Sequence, residues 1–142
     1  MNIKDWQLLK DFNQQNVALD GTWYRFVEDY ISPGKILKFT AKGEWHYLPG
    51  HPQRCGPDGF LGLPLPDEKL MLPTSPLGAL IGKLGGSSAD QKDGTVFAIG
   101  SFALVSVPSN TPCTLFITIN TAKGARIPSL DRLELNVKVA DP

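Results

Sequence analysis

Two stretches of the chain alternate apolar and polar residues with the period of a β-strand. In residues 132–139, RLELNVKV, leucine and valine alternate with charged residues and asparagine. In residues 36–47, ILKFTAKGEWHY, the apolar residues Leu37, Phe39 and Ala41 alternate with lysine and threonine. Because successive side chains of a strand point to opposite faces of a sheet, the pattern predicts two strands with one face in a core and the other in water.

Other apolar runs are more continuous. The segments PLGALIGKLG, GTVFAIGSFALVSV and CTLFITIN predict further strands, as does the aromatic WYRFVEDYI before a Ser-Pro-Gly turn signal. Gly43 interrupts an alternating segment and predicts a bulge or sharp bend. Near the N-terminus, Trp6, Leu9 and Phe12 recur at three-residue spacing, which favours a short amphipathic helix, although the same residues are compatible with the start of a strand.

Proline is concentrated in residues 48–76, which therefore read as an extended and exposed excursion between strands. Short strands separated by loops, with few helical periods, predict an all-β fold, a small antiparallel β-sandwich. No internal repeat or domain boundary is visible. We therefore expect one domain over residues 1–142, with residues 1–20 as an N-terminal extension.

Composition narrows the function classes. The 142 residues include 14 basic and 14 acidic side chains, so neither nucleic acid nor an anionic membrane surface is an expected partner. The first thirty residues contain no apolar run long enough for a signal peptide or a membrane span. A cytoplasmic location with reduced thiols is the default expectation, with non-classical export left open. The two cysteines fall short of a disulfide framework, and a single bridge between them stays open.

The loop YLPGHPQRCGPDGF, residues 47–60, concentrates rare residues, which makes it a candidate for a catalytic or metal site. His46, His51 and Cys55, with Glu44 on the same strand face as His46, suggest metal ligands, but their spacing matches no common zinc motif. No nucleophile lies on a recognisable elbow, and the glycine-rich residues 82–94 lack the lysine-serine ending of a phosphate loop. The sequence therefore predicts no enzyme, and surface histidines are the simpler interpretation.

Aromatic residues are a second source of function, because sugar rings stack on tryptophan and tyrosine. Trp45 and Tyr47 lie at the start of the proline-rich segment and are candidates for such stacking. Alternate residues on a sandwich strand also commonly face the core, so a packing role is the competing interpretation.

The order of motifs over residues 30–139 resembles the bacterial galactophilic lectin family of the PA-I type. The matching pieces are a Pro-Gly turn that opens a strand, Gly43 four residues before Tyr47, G-P-x-G at residues 56–59 and G-A-L-x-x-K-[IL]-G at residues 78–85. The resemblance implies a small β-sandwich of the jelly-roll or galactose-binding-like kind. It also implies one calcium ion that holds two hydroxyls of a terminal galactose.

The family's calcium loop reads approximately N-D-x-x-G followed by N-N, and this sequence departs from it. Asn120 and Gly124 fit the pattern. The aspartate position is Thr121, and Pro128 and Ser129 stand where the family has its asparagines. No anionic ligand remains at these matching positions.

Two further family ligands are backbone carbonyls, which match Tyr47 and Ala125 here. Calcium takes six to eight oxygens, usually with carboxylates among them, so two carbonyls do not suffice. Asp131 is a candidate substitute, but Lys123 and Arg126 in the same loop oppose a cation. We therefore expect no cofactor and no tight calcium site at the family position.

The family's sugar contacts are also altered. It uses a His-Pro-x-Gln segment after G-P-x-G, whereas here a similar His51-Pro52-Gln53 precedes that motif. The family's nearby cysteine pair is replaced by Leu72 and Leu77.

Two hypotheses follow. The first is a non-catalytic carbohydrate-binding module that contacts a glycan or small saccharide without calcium. Its candidate ligand-binding residues are Trp45, Tyr47, His51, Gln53, Thr121, Arg126 and Asp131. The alternative is a protein–protein interaction or homo-oligomerisation domain on a lectin-like sandwich whose sugar site has decayed. Fold resemblance supports both, because function lies in the site rather than in the fold.

Overall fold

The alternating segments form two of the longest strands, which lie side by side in one sheet. The computed structural model describes residues 5–17, 23–27, 29–46, 54–60, 70–86, 94–108, 112–121 and 130–142. The strands of these residues are β1 (Gln7–Val17), β2 (Tyr24–Arg25), β3 (Ile36–His46), β4 (Arg54–Cys55), β5 (Leu80–Leu84), β6 (Thr95–Ala98), β7 (Phe102–Ser106), β8 (Leu115–Ile119) and β9 (Leu130–Ala140). Two antiparallel sheets pack together, which confirms the predicted all-β sandwich.

The first sheet is five-stranded and is built on β3 and β9. Its order is β1-β9-β3, and both β7 and β4 pair with the second edge of β3. The alternation predicted for β3 and β9 is confirmed, since their alternate apolar residues are buried. The buried residues on these two strands are Leu37, Phe39, Ala41, Trp45, Leu130, Leu133, Leu135, Val137 and Ala140.

The second sheet has the order β2-β8-β5-β6, and its two central strands are buried on both faces. Leu80 and Ile117 belong to the main core between the sheets, whereas Ile81 and Phe116 belong to a smaller cluster on the outer face. Burial on both faces explains why these segments read as continuous apolar runs rather than as alternating ones. The same outer cluster encloses the fully buried Lys83, whose Nζ lies 5.1 Å from the ring centroids of both Trp23 and Phe116.

The described part of the proline-rich excursion is not all exposed, which corrects the sequence expectation. Leu70 and Met71 are buried, and Met71 packs with Trp23 and Phe116 on the outer face of the second sheet. Apolar residues among the prolines give this segment something to bury, and a proline-rich composition alone does not reveal it.

The short N-terminal helix is also a wrong prediction, because residues 7–17 form strand β1 at the edge of the first sheet. The register of β1 against β9 shifts between Leu8 and Lys10. This irregularity adds one residue, Leu9, so Leu9 and Phe12 both pack on the core despite their odd spacing. A bulged strand therefore imitates the three-residue spacing of a helix.

Gly43 does not mark a bulge. β3 pairs with β9 in one unbroken register from Ile36 to Glu44, and Gly43 lies opposite Leu133. A Cβ atom at Gly43 would lie 2.4 Å from the backbone oxygen of Arg132 and 2.8 Å from Cζ3 of Trp45. The glycine therefore makes room for the indole ring of Trp45 against the neighbouring strand.

No helix in the part of the chain that the structure describes is long and apolar enough to cross a membrane. Cys55 and Cys113 are not joined by a disulfide.

Candidate functional site

Four ionisable side chains meet where β3 ends and where β4 and β9 begin. We call Glu44, His46, Arg54 and Asp131 the polar cluster. Glu44 and His46 alternate with the buried Trp45 along β3, and the pairing of β4 with β3 places Arg54 opposite His46. Asp131 is the second residue of β9, just beyond the last β3–β9 pair.

The cluster is connected by loose polar contacts. Nε of Arg54 donates to Nε2 of His46 at 3.5 Å, and the same Nε lies 3.6 Å from Oδ2 of Asp131. Nδ1 of His46 lies 3.6 Å from that Oδ2, and Nη1 of Arg54 lies 3.6 Å from Oε2 of Glu44. Contacts of this length between partly exposed groups stabilise a fold by at most about 1 kcal/mol each.

Asp131 is the least satisfied member of the cluster. Its Oδ2 is shielded from solvent and accepts no hydrogen bond among the described residues, while the side chain as a whole is 37% exposed. A carboxylate oxygen without a donor carries a desolvation cost that a hydroxyl or N–H donor would relieve. Beside the cluster is a hollow of about 210 Å³ lined by Arg54, Cys55, Gly59 and Phe60.

On the core side of the polar cluster, Trp45 and Cys55 are both hydrogen-bonded to the backbone oxygen of Gly78. Trp45 is fully buried, and its Nε1 donates to the backbone oxygen of Gly78 at 2.8 Å. Sγ of Cys55 donates to the same oxygen at 3.7 Å. Burial raises the pKa of the Cys55 thiol to about 11, against a smaller opposing effect of its hydrogen bond with Trp45. The thiol is therefore protonated at neutral pH and unsuited to act as a nucleophile or metal ligand.

Asn120 fixes the segment that carries Gly78. Its fully buried side chain donates from Nδ2 to the backbone oxygens of Leu72 and Ser75 at 2.9 Å and of Pro76 at 3.1 Å. Its Oδ1 accepts the N–H of Leu72 at 2.9 Å. The backbone oxygen of Thr121 accepts the N–H of Met71 at 2.9 Å. The residues that were compared in sequence with the start of a lectin calcium loop, Asn120 and Thr121, are thus bonded to other parts of this chain.

The G-P-D-G motif is a turn that docks on two strands. Gly59 has a φ of 79°, and its N–H donates to the oxygen of Gly56 at 2.9 Å. Leu80 donates to the oxygen of Pro57 at 2.8 Å, and Oδ1 of Asp58 accepts the N–H of Ser101 at 2.8 Å. The motif therefore connects the starts of β5 and β7.

The structure brings only part of the predicted site together. Asp131 lies in the polar cluster, whereas Trp45 is in the core and Thr121 is buried, so neither presents a surface to a ligand in this structure. Tyr47, His51, Gln53 and Arg126 lie outside the described residues. Tyr47 directly follows His46 in sequence, and Gln53 directly precedes Arg54, so the segment 47–53 starts and ends at the cluster.

Arg54 was not among the predicted site residues. Its role depends on β4, a strand of two residues whose pairing with β3 has no sequence signal. Its position directly after the predicted His-Pro-Gln was the one available hint.

The residues that match the family's calcium ligands do not fit the ion where the structure describes them. The side chain of Asn120 is committed to backbone groups, and Thr121 supplies no carboxylate. No group of three or more His, Cys, Asp or Glu side chains that could hold a metal is found within the described ranges.

A scan against protein-family models found no match to this sequence, and a search of curated proteins found no relative either.

Proposed function

We propose that this chain is a non-catalytic glycan-binding module that works without calcium, with the polar cluster as its ligand-binding surface. The observation that carries the proposal is the carboxylate of Asp131. It lies within 3.6 Å of both His46 and Arg54, yet its Oδ2 has no hydrogen-bond donor among the described residues. Oδ2 itself is shielded from solvent, but the side chain is 37% exposed, so the exposed part of the carboxylate is open to a saccharide hydroxyl.

The chemistry of the cluster matches that of a sugar ring. Neighbouring hydroxyls donate to carboxylates and accept from guanidinium and imidazole groups, and the cluster offers both kinds of partner within a few ångströms. Its members are held by contacts of 3.5–3.6 Å rather than by short bidentate pairs, so ligand hydroxyls can replace them at little cost.

The charges favour a neutral saccharide. With His46 counted as neutral, the two carboxylates and one guanidinium give the cluster a formal charge of −1. Uronic and sialic acids would meet this negative charge, whereas hexoses without a carboxylate would not. A terminal neutral hexose is therefore the expected ligand class.

The loop residues of the sequence hypothesis remain part of the proposal. Tyr47, His51 and Gln53 are proposed to complete the surface, because segment 47–53 starts and ends next to cluster residues. Arg126 is proposed from its place in the loop that the lectin resemblance assigns to the ligand. Trp45 and Thr121 take a supporting role, since both are buried. Trp45 holds Gly78 beneath the cluster and thereby fixes the floor of the site.

A glycan array with and without a chelator is the first test. We expect binding to neutral terminal hexoses that the chelator leaves unchanged. The strongest hits are then titrated by calorimetry against Asp131→Asn and Arg54→Gln, each expected to weaken binding by about tenfold or more, the usual cost of losing a hydrogen bond to a charged group.

Asp141→Asn is the matched control. Asp141 also pairs with a cation, Lys35, but it follows the opposite end of β9, about 30 Å away at the usual rise of a strand. We expect this variant to bind like the wild type. Binding abolished by chelator would contradict the calcium-free proposal, and no binding to any glycan would favour the interaction-domain alternative.

A further inference from the structure

Strand β7 lies at an edge of the first sheet and exposes two large apolar side chains. It pairs with β3, and no other strand of the described residues pairs with it. Phe102 and Leu104 are each 58% exposed, whereas Ala103 and Val105 pack against the core. Phe102, Leu104 and Ser106 therefore share the outer face of the sheet.

The hydrogen-bond pattern of the sheet directs the backbone groups of these same three residues away from β3. Ala41 donates to the oxygen of Ser101, and Val107 donates to the oxygen of Lys35, so the odd-numbered residues of β7 bond to β3. In an antiparallel ladder the residues in between direct their N–H and C=O groups to the other side. Phe102, Leu104 and Ser106 thus present backbone donors and acceptors along the open edge.

This edge lacks the features that usually prevent strand addition. Natural edge strands carry charges, proline, bulges or very short lengths. At the opposite edge of the sheet, β1 has Lys10, Asp11 and a register shift. The edge strands of the second sheet have two residues in β2 and four in β6. The sequence of β7, FALVS, contains no charge and no proline.

We infer that β7 is an interface for a second copy of this chain, which adds its own β7 in antiparallel register across a two-fold axis. The inference is independent of the proposed glycan binding. With Leu104 opposite Leu104 of the second copy, Phe102 faces the second Ser106, and the reverse pair follows by symmetry. The ladder pattern then gives about six hydrogen bonds between the copies.

A second copy fits this edge in charge and in shape. Two β7 strands bring no like charges opposite each other, because neither contains a charge. Lys38 is the cation nearest to the two-fold axis, because it pairs with Leu104 from β3. In the dimer the two Lys38 residues would be three strand spacings apart, about 14 Å. This distance exceeds the screening length at physiological salt, so their repulsion is weak. The ring of Phe102 meets the small Ser106, and its diagonal neighbour is Leu104, which an aromatic ring can reach.

The test places opposite charges on the two-fold axis. Leu104→Lys and Leu104→Glu each put like charges face to face in a homodimer, while a mixture of the two pairs lysine with glutamate. Sedimentation equilibrium of the full chain is expected to show a concentration-dependent dimer for the wild type. Dimerisation is expected to weaken by about tenfold or more in each variant alone and to return in the mixture at low salt.

Leu8→Lys is the matched control. Leu8 is 60% exposed and lies in the same sheet as Leu104. The two residues belong to one row across the strands, in which Leu8 pairs with Lys138, Lys138 with Lys38, and Lys38 with Leu104. It belongs to β1, so this variant is expected to dimerise like the wild type. A second edge variant, Ser106→Pro, removes an outward N–H without removing a bond to β3, and it is expected to weaken dimerisation as well.

Several results would overturn the inference. One is a wild-type chain that remains monomeric up to about 1 mM, since an interface smaller than the standard size should still associate weakly at that concentration. Another is a dimer unaffected by Leu104→Lys and Ser106→Pro, which would place the interface elsewhere. A third is a mixture of folded Leu104→Lys and Leu104→Glu chains that does not regain the dimer.

Discussion

At the scale of single residues, Asn120 and Asp131 are polar groups with opposite roles. Asn120 is fully buried and uses both its donors and its acceptor on the backbone of residues 72–76. Asp131 is partly exposed and lacks a donor for one oxygen within the described residues. Because folding strongly disfavours unsatisfied buried groups, the first pattern belongs to the architecture, and the second marks the carboxylate on which the proposed site is built.

Removing the Asn120 amide should destabilise the protein strongly. In Asn120→Ala, the buried oxygen of Ser75 and the N–H of Leu72 lose the amide as their partner, whereas the oxygens of Leu72 and Pro76 still accept the N–H groups of Ser75 and Ala79. Each buried group left unsatisfied costs about 1–3 kcal/mol, and the lost side chain adds the cost of a cavity. We expect the free energy of unfolding, measured by urea denaturation, to fall by about 3 kcal/mol or more. The control is Asn136→Ala, whose amide makes one exposed 3.5 Å contact with Asp11 and should change stability by less than about 0.5 kcal/mol. Equal effects of the two substitutions would contradict the assigned role.

Cys55 should react slowly at ordinary pH, because burial raises the pKa of its thiol to about 11 and only the thiolate is nucleophilic. In a Cys113→Ser background, the alkylation rate with iodoacetamide should keep rising to about pH 11 instead of levelling near pH 9. The contribution of the protonated thiol to stability is complete below pH 9 and is lost as the pH rises through 11. A rate that levels off near pH 9 in the folded protein would show that the thiol is not shielded.

At the scale of elements, the sequence predicts strands well where one face is in water. β3 and β9 follow their alternation, because each has a core face and a polar face. β1 misleads because its register shift at Leu9 gives a helix-like spacing. The polar cluster depends on β4, two residues whose partner is set by the tertiary fold, and Asp131 is the one candidate ligand-binding residue of the sequence that lies in the cluster among the described residues. Pairing between distant strands is a property of packing and leaves little local signal.

Gly43 offers a test of close packing within β3. In Gly43→Ala, the new Cβ would lie 2.4 Å from the backbone oxygen of Arg132 and 2.8 Å from Cζ3 of Trp45, so the backbones of β3 and β9 must separate and the Trp45 ring must shift as well. Overpacking of this kind usually costs about 1–3 kcal/mol, and we expect a loss in that range by thermal or urea denaturation. Lys42→Ala, at an exposed neighbouring position, should have little effect. A neutral Gly43→Ala would imply that β3 bends away from β9 at this point.

At the scale of the whole molecule, the first and last described strands pair over most of their length, Gln7 with Val139 at one end and Val17 with Leu130 at the other. β9 in turn pairs with β3 along its other edge. β9, which carries Asp131 near its start, therefore lies between β1 and β3. β1 belongs to residues 1–20, which the sequence suggested were an N-terminal extension. Loss of β1 would expose the edge of β9 over its full length and open the main core at Phe12 and Val17.

This arrangement predicts that β1 is required for folding. Phe12 is buried between Phe26 and Tyr24, with ring centroids 5.6 and 6.3 Å away. Phe12→Ala should lower the free energy of unfolding by about 3–5 kcal/mol. This loss is large, because a typical domain has a free energy of unfolding of about 5–15 kcal/mol. The exposed neighbour Asn13→Ala should shift it by less than about 0.5 kcal/mol.

Deletion of residues 1–17 should then leave a chain that is unfolded or aggregated by circular dichroism and light scattering. A truncated chain with an unchanged melting temperature would instead show that these residues are a dispensable extension and that the sandwich closes without them.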